Sequence, residues 1–226
     1  MAQGCFSRGF RAEDRFMEWV RDQAPDARIF RAALQDDMSQ HWDVLVQPPS
    51  SASDDNTPHG IRIDVKALRR DRRGGALSSD HTWLELYTAD RHRPGSVLGD
   101  ADVLAFEVLP PLSSGSKDGG DDTGAHVVRE EDEEEDVDWL IVPRARIVEW
   151  MRRVLHPTTA PVTKSREHAI EQCAAGTWTL YNRRGFEALL HVPLSLLATF
   201  AIGRDTPTSP TSWPAAAKMI KPCRKG

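Results

Sequence analysis

Asp64 and Lys66 stand two apart in the run Ile61-Arg62-Ile63-Asp64-Val65-Lys66-Ala67, where apolar Ile61, Ile63 and Val65 alternate with the polar trio Arg62, Asp64 and Lys66. A period of two marks a strand, and it puts the three polar side chains on one face. Hydrolysis of a phosphodiester with a divalent ion asks for hard oxygen ligands around the ion. It also asks for a cation that polarises the attacking water or steadies the charge growing on phosphorus. Asp64 and Lys66 offer one of each. Asp43 offers a second carboxylate, twenty-one residues upstream in the short apolar run His41-Trp42-Asp43-Val44-Leu45-Val46. If these two runs pair as neighbouring strands, the acids stand side by side in an oxygen-rich pocket suited to Mg2+ (or Mn2+), with Lys66 at its edge. Of six lysines, only Lys66 has an acid two positions before it. By itself the triplet is a weak signal, because acids are common along any chain. The surrounding elements must decide.

Residues 10–24 read as an amphipathic helix: Phe10, Met17, Val20 and Ala24 recur at helical spacing and Pro25 ends the run. Glu13 falls on that apolar stripe, an unusual place for a carboxylate. An extended piece over 28–34 leads through polar 35–40 into the strand 41–46, on which His41 and Asp43 share a face. The Pro- and Ser-rich 47–60 is a loop, the strand 61–67 follows, and 68–80 is an Arg- and Gly-rich loop. Further strands are expected at 83–87, 102–108 and 139–142, then a helix over 144–155, a strand at 177–181, a turn at Arg183-Arg184-Gly185 and a short helix within 194–202. No internal repeat is present. The order predicts an α/β fold, a mixed central sheet flanked by helices, as one domain over 1–202 with a tail at 203–226. A low-complexity acidic insert, 110–138, interrupts the domain and is expected to be disordered.

This order of elements resembles the PD-(D/E)XK nuclease superfamily, the restriction-endonuclease-like fold that includes archaeal Holliday-junction resolvases. The match is a helix with Glu13, a strand with Asp43, and a strand with Asp64-Val65-Lys66. Arg31-Ala32-Ala33 and Asp37-Met38-Ser39-Gln40-His41-Trp42-Asp43 look like segments of small phage and viral members. So do Gly95-Ser96-Val97-Leu98-Gly99-Asp100-Ala101-Asp102 and the later Tyr181-Asn182-Arg183-Arg184-Gly185 and His191-Val192-Pro193. The likeness covers most of residues 10–200. Ser96 stands where those members carry Trp, and Trp42 where the motif's name places Pro. The resemblance implies a Mg2+- or Mn2+-dependent DNA endonuclease, resolvase-like activity being one form of it. Asp43, Asp64 and the Val65 carbonyl would ligate the ion. It further implies that Lys66 orients or activates the attacking water and that Glu13 assists the ion. DNA is the implied partner, and many members act as homodimers.

Other residues invite weaker readings. Glu85 on the strand 83–87, expected to neighbour Asp64, could reach the pocket, or could simply face outward; His41 is a substrate contact or a half-buried structural histidine. Asp102 is better read as a structural acid. Arg69, Arg70, Arg72 and Arg73 follow the Asp-x-Lys strand directly, where a phosphate backbone would pass, and Arg183 and Arg184 invite the same reading. The net charge is −5, yet 110–138 holds eleven acids against Lys117 and Arg129, or −9, so the remainder carries +4. Cys5, Cys173 and Cys223 lack the close spacing of a zinc site, and no acyl-transfer signature accompanies Cys173. No apolar run suits a membrane span or a signal peptide, so a soluble intracellular protein is expected. Two alternatives stand beside the nuclease: a non-catalytic nucleic-acid-binding or assembly protein with a vestigial ion site, and a protein-interaction module working through its acidic insert.

Overall fold

The first helix of the computed structural model, α1 (Gln3–Gln23), starts earlier than its apolar stripe suggests. Ala12, Phe16 and Val20 are wholly buried, whereas Phe10 is 46 % exposed. Phe10 therefore leaves the stripe and instead lies under the Arg31 guanidinium, 5.8 Å from its ring centre. The structure describes residues 3–48, 60–70, 77–78, 80–87, 94–109, 137–155, 160–183 and 187–202. The expected tail, the acidic insert up to residue 136 and most of the loops at 47–60 and 68–80 lie outside the described residues.

Two mixed sheets replace the single sheet expected. The larger joins β1 (Arg28–Arg31), β2 (Val44–Gln47), β3 (Ile61–Lys66), β7 (Val103–Val108) and β8 (Asp138–Pro143), in that order. Its pairs are antiparallel except β3 with β7, which run parallel. The smaller sheet has the order β6 (His81–Tyr87), β11 (Glu187–Pro193), β10 (Leu180–Arg183), β9 (Val162–Thr163). A two-stranded ribbon, β4 (Arg69–Arg70) with β5 (Leu77–Ser78), completes the strands. The strand that carries Glu85 thus pairs with β11, and β7 takes the place beside β3 that sequence reasoning assigned to β6. Helices α2 (Leu34–Gln40), α3 (Arg144–Val154), α4 (Arg166–Ala174) and α5 (Leu194–Ala198) fill the connections. The polar segment 35–40, assigned to no element from the sequence, is helical, and His41 ends that helix instead of beginning a strand. The strand expected at 177–181 begins at Leu180.

Side-chain alternation along β7 explains the layering. Val103 and Ala105 join α1's Ala12, Phe16 and Val20 and the inner residues of β2 and β3 in one core. Leu104 and Phe106 point the other way, into a second core with Leu84, Leu190, Val192, Ile147 and Leu197. A strand buried on both faces reads as a continuous apolar run, as Val103-Leu104-Ala105-Phe106 does. Asp64 pairs with Leu104 and Lys66 with Phe106, so both polar side chains look toward the second layer while Ile63 and Val65 lie under α1. Among the described residues no helix is long and apolar enough to cross a membrane.

Glu107, one residue further along β7, is buried and fully engaged. Its Oε1 accepts from Arg15 Nε at 2.8 Å and its Oε2 from the Leu68 backbone N–H at 2.9 Å. This carboxylate therefore locks α1 to the chain just past Lys66. Glu107→Ala strands the Leu68 N–H and frees Arg15, which should cost about 1–3 kcal/mol of stability. Urea denaturation measures this, and a midpoint equal to the wild type would refute the lock.

Candidate functional site

The expected acids meet at one end of the large sheet, where β2 begins and β3 ends. Asp43 precedes β2 and is stitched there on three sides. Its N–H donates to Ile63 O at 2.8 Å, its carbonyl accepts from Ala32 N at 2.7 Å, and its Oδ2 accepts from Val65 N at 2.6 Å. The last bond sets the Asp43 carboxylate against the Asp64-Val65-Lys66 backbone. Asp64 is only 3 % exposed. Lys66 Nζ lies 2.6 Å from its Oδ1, while its Oδ2 is buried without a hydrogen-bond donor among the described residues. Glu13 comes from α1, and Arg31 Nε holds its Oε2 at 3.1 Å while Nη2 of the same guanidinium reaches Asp14 Oδ1 at 2.6 Å. The arginine of the Arg-Ala-Ala segment thus steers the helix that bears Glu13.

Electrostatics tie these groups together. Burial pushes the Glu13 carboxyl up to about 7; Arg31 opposes the rise, and Asp37, Asp14 and Asp64 add to it. Asp43 is driven well above the usual carboxylate range by burial and then by Asp64, against the pull of Lys66 and of the Val65 N–H. Burial also raises Glu85, which Lys66 pulls down most strongly among its neighbours, with His41 and Arg183 acting in the same sense. Asp43 and Asp64 therefore share one ammonium group, Glu13 is coupled to both acids by charge alone, and Glu85 feels the same ammonium from the second sheet. Like charges in a poorly solvated space raise one another's proton affinity, and a divalent cation relieves the same repulsion. The orphaned Asp64 Oδ2 and the oxygen-only donor set suit Mg2+ or Mn2+.

Two candidates reach this end by a route the sequence concealed. His41 adopts a left-handed backbone (φ 54°) as it closes α2, and its buried Nε2 has no partner among the described residues. The glycines of segment 95–102 hold it and Glu85 in place. A Cβ on Gly99 would stand 2.8 Å from Gln40 O and from His41 Cβ, and a Cβ on Gly95 would stand 2.5 Å from Glu85 O. Asp100 N donates to Gln40 O and Gly95 N to Leu86 O, both at 2.7 Å, and Val97 between them is wholly buried. The segment is a wedge between β6 and residues 40–41, and only glycine permits its two close approaches. Ser96, found where the resemblance has Trp, is buried there.

The structure brings Asp43, Asp64, Val65 and Lys66 into contact, holds Glu13 on Arg31 with only a charge coupling to both acids, and couples Glu85 by charge to Lys66 and His41. Asp102 is structural: its Oδ2 accepts from Arg62 N at 2.9 Å. Arg69 and Arg70 form β4 immediately beyond the site, whereas Arg72, Arg73 and Arg184 lie outside the described residues. Arg183 is engaged by Glu187 across the β10–β11 hairpin. Sequence reasoning missed Glu107 and Arg15, and it quoted Gly95 and Gly99 only as part of the resemblance. An acid at the end of the apolar run Val103–Val108 was the available clue to Glu107.

Because the fold raises the Glu13 carboxyl, it favours the protonated form. Glu13's contribution to stability is thus complete below about pH 4.5 and is lost as pH rises through about 7. In metal-free buffer, Glu13→Gln should gain stability relative to wild type across that window. Urea midpoints at both ends measure it, and a difference that does not change with pH would count against the buried cluster. Comparison with protein-family models, with curated proteins and with solved structures finds no significant match to this chain.

Proposed function

We propose that this chain is a divalent-metal-dependent DNA nuclease of the PD-(D/E)XK type on a restriction-endonuclease-like fold, with Asp43, Asp64 and Lys66 as its centre and Glu13 in support. One observation carries the reading. Asp64 and Lys66 are in contact, the Asp43 carboxylate is bonded to the backbone between them, and a buried Asp64 oxygen is left without a donor among the described residues. The Glu-bearing helix, the Asp at the head of one strand and the Asp-x-Lys on the next follow the order of that superfamily, and the contacts among Asp43, Asp64 and Lys66 support the reading.

Asp43 and Asp64 would hold Mg2+ (or Mn2+), with the Val65 carbonyl as a further ligand and Glu13 assisting directly or through water. When bound, the ion supplies Lewis acidity to the phosphodiester and offsets its charge. Lys66, ion-paired to Asp64, would orient or activate the attacking water and steady charge on the phosphorane. The same ammonium pulls the Glu85 carboxyl down from the opposite sheet. The arginines that follow β3 (Arg69, Arg70, Arg72 and Arg73) lie in sequence where a DNA backbone leaving this centre would be met, and their contacts would be independent of base sequence.

Asp64→Asn should abolish Mg2+-dependent cleavage of DNA, and Lys66→Met should slow it roughly 10²–10⁴-fold, with circular dichroism spectra unchanged. Asp64→Asn protein that cuts at the wild-type rate sinks the assignment. Folded wild-type protein that neither cuts DNA nor binds Mg2+ or Mn2+ through Asp43 would point to a vestigial site. Replacing Arg72 and Arg73 with Ala should weaken DNA binding alike across sequences. It should also flatten the salt dependence by about one unit of slope for each phosphate no longer neutralised. Fluorescence anisotropy over a salt series reads this directly.

A further inference from the structure

Helix α4 has thin apolar anchorage: Ala169 and Cys173 are its buried residues. Cys173 is also where three distant segments converge. It meets His81, the first residue of β6, and His191 of β11, and one ligand-capable atom from each lies within 4.8 Å of the other two. The cysteine that lacked any zinc-like spacing in the sequence has its imidazole neighbours supplied by the second sheet.

A second observation points to a ligand. His191 is 6 % exposed, and its buried Nδ1 has no partner among the described residues. Buried imidazole nitrogens are ordinarily satisfied, so this one calls for an occupant. The surroundings are aromatic: the His81 and His191 rings stack with centroids 4.8 Å apart, and the Trp83 ring lies 4.6 Å from His191. One sulfur and two imidazole nitrogens form a soft set, unlike the all-oxygen cluster at the other site.

We propose that His81, Cys173 and His191 form a second metal site, for Zn2+ or a similarly soft divalent ion, that pins α4 to the small sheet. The stacked rings lie 12° from parallel, so their lone pairs do not converge as they stand. The exposed His81 must turn for both to face one ion. Tetrahedral bonds of about 2.0–2.3 Å then draw the ligand atoms to roughly 3.3–3.7 Å from one another. Cys173 binds as the thiolate and its proton goes to solvent. A fourth position is left to water. This site is independent of the nuclease reading, since it shares no residue with the carboxylate cluster.

The test is titration of the chelator-treated full chain with Co2+, in a Cys5→Ser/Cys223→Ser background that leaves Cys173 as the sole thiol. One equivalent should produce a thiolate-to-cobalt charge-transfer band in the near ultraviolet and intense tetrahedral visible bands, both displaced by Zn2+. Cys173→Ser should abolish the charge-transfer band. His81→Ala, at an exposed position that spares the fold, should weaken Zn2+ binding roughly tenfold or more. Asp43→Asn/Asp64→Asn should leave the band unchanged, which separates this site from the carboxylate cluster. Folded protein without the thiolate band, or with Zn2+ affinity unaltered by His81→Ala, overturns the proposal.

Discussion

Asp64 sits on a strand face that it shares, across the β3–β7 pairing, with Leu104 and Phe106, and that face is roofed by a second sheet. A charged carboxylate in such a place must be compensated, because water cannot do it. Lys66 compensates one oxygen at 2.6 Å, and the other is left without a donor among the described residues. Most of what surrounds the site follows from this imbalance. Asp43 arrives by the antiparallel β2–β3 register, Glu13 arrives on α1, and each additional acid worsens the repulsion rather than relieving it. The cost shows in the raised Asp43 and Glu13 carboxyls.

Two supports keep the crowd in register. On the α1 side, Glu107 clasps Arg15 and the Leu68 N–H, fixing both the helix that carries Glu13 and the chain leaving Lys66. On the opposite side, the wedge bounded by Gly95 and Gly99 presses on Glu85 and His41. These supports come from opposite faces of the large sheet. Glu85 consequently influences Lys66 although their strands belong to different sheets. The two proposed metal sites differ in the same physical terms: hard oxygens gathered by a backbone register, against a thiol and imidazoles gathered by a helix lying on a sheet.

Periodicity made much of the local structure legible. The alternation of Ile61, Ile63 and Val65 with Arg62, Asp64 and Lys66 correctly assigned a strand with its polar face, since the pleat imposes it whatever lies above. The stripe through Met17, Val20 and Ala24 correctly identified α1 and located Glu13, and the helix after Pro143 was equally plain. Segment 35–40 was harder, because a seven-residue polar helix carries no apolar period to read. The short β9 pair and the left-handed His41 likewise depend on contacts made elsewhere in the chain.

From the residues alone came the α/β class, the strand bearing Asp64 and Lys66, and the pairing of Asp43 with it across a loop. All three depend on backbone periodicity and near neighbours. Tertiary structure alone decided that the strands divide into two sheets, that β7 rather than β6 lies beside β3, that Glu107 clasps Arg15 and the Leu68 N–H, that Gly95 and Gly99 are close approaches, and that His81, Cys173 and His191 come together. The reason is that a strand's hydrogen-bonding edge is alike for every partner. Which strand it accepts, and which distant side chains then touch, is settled only when both cores close together.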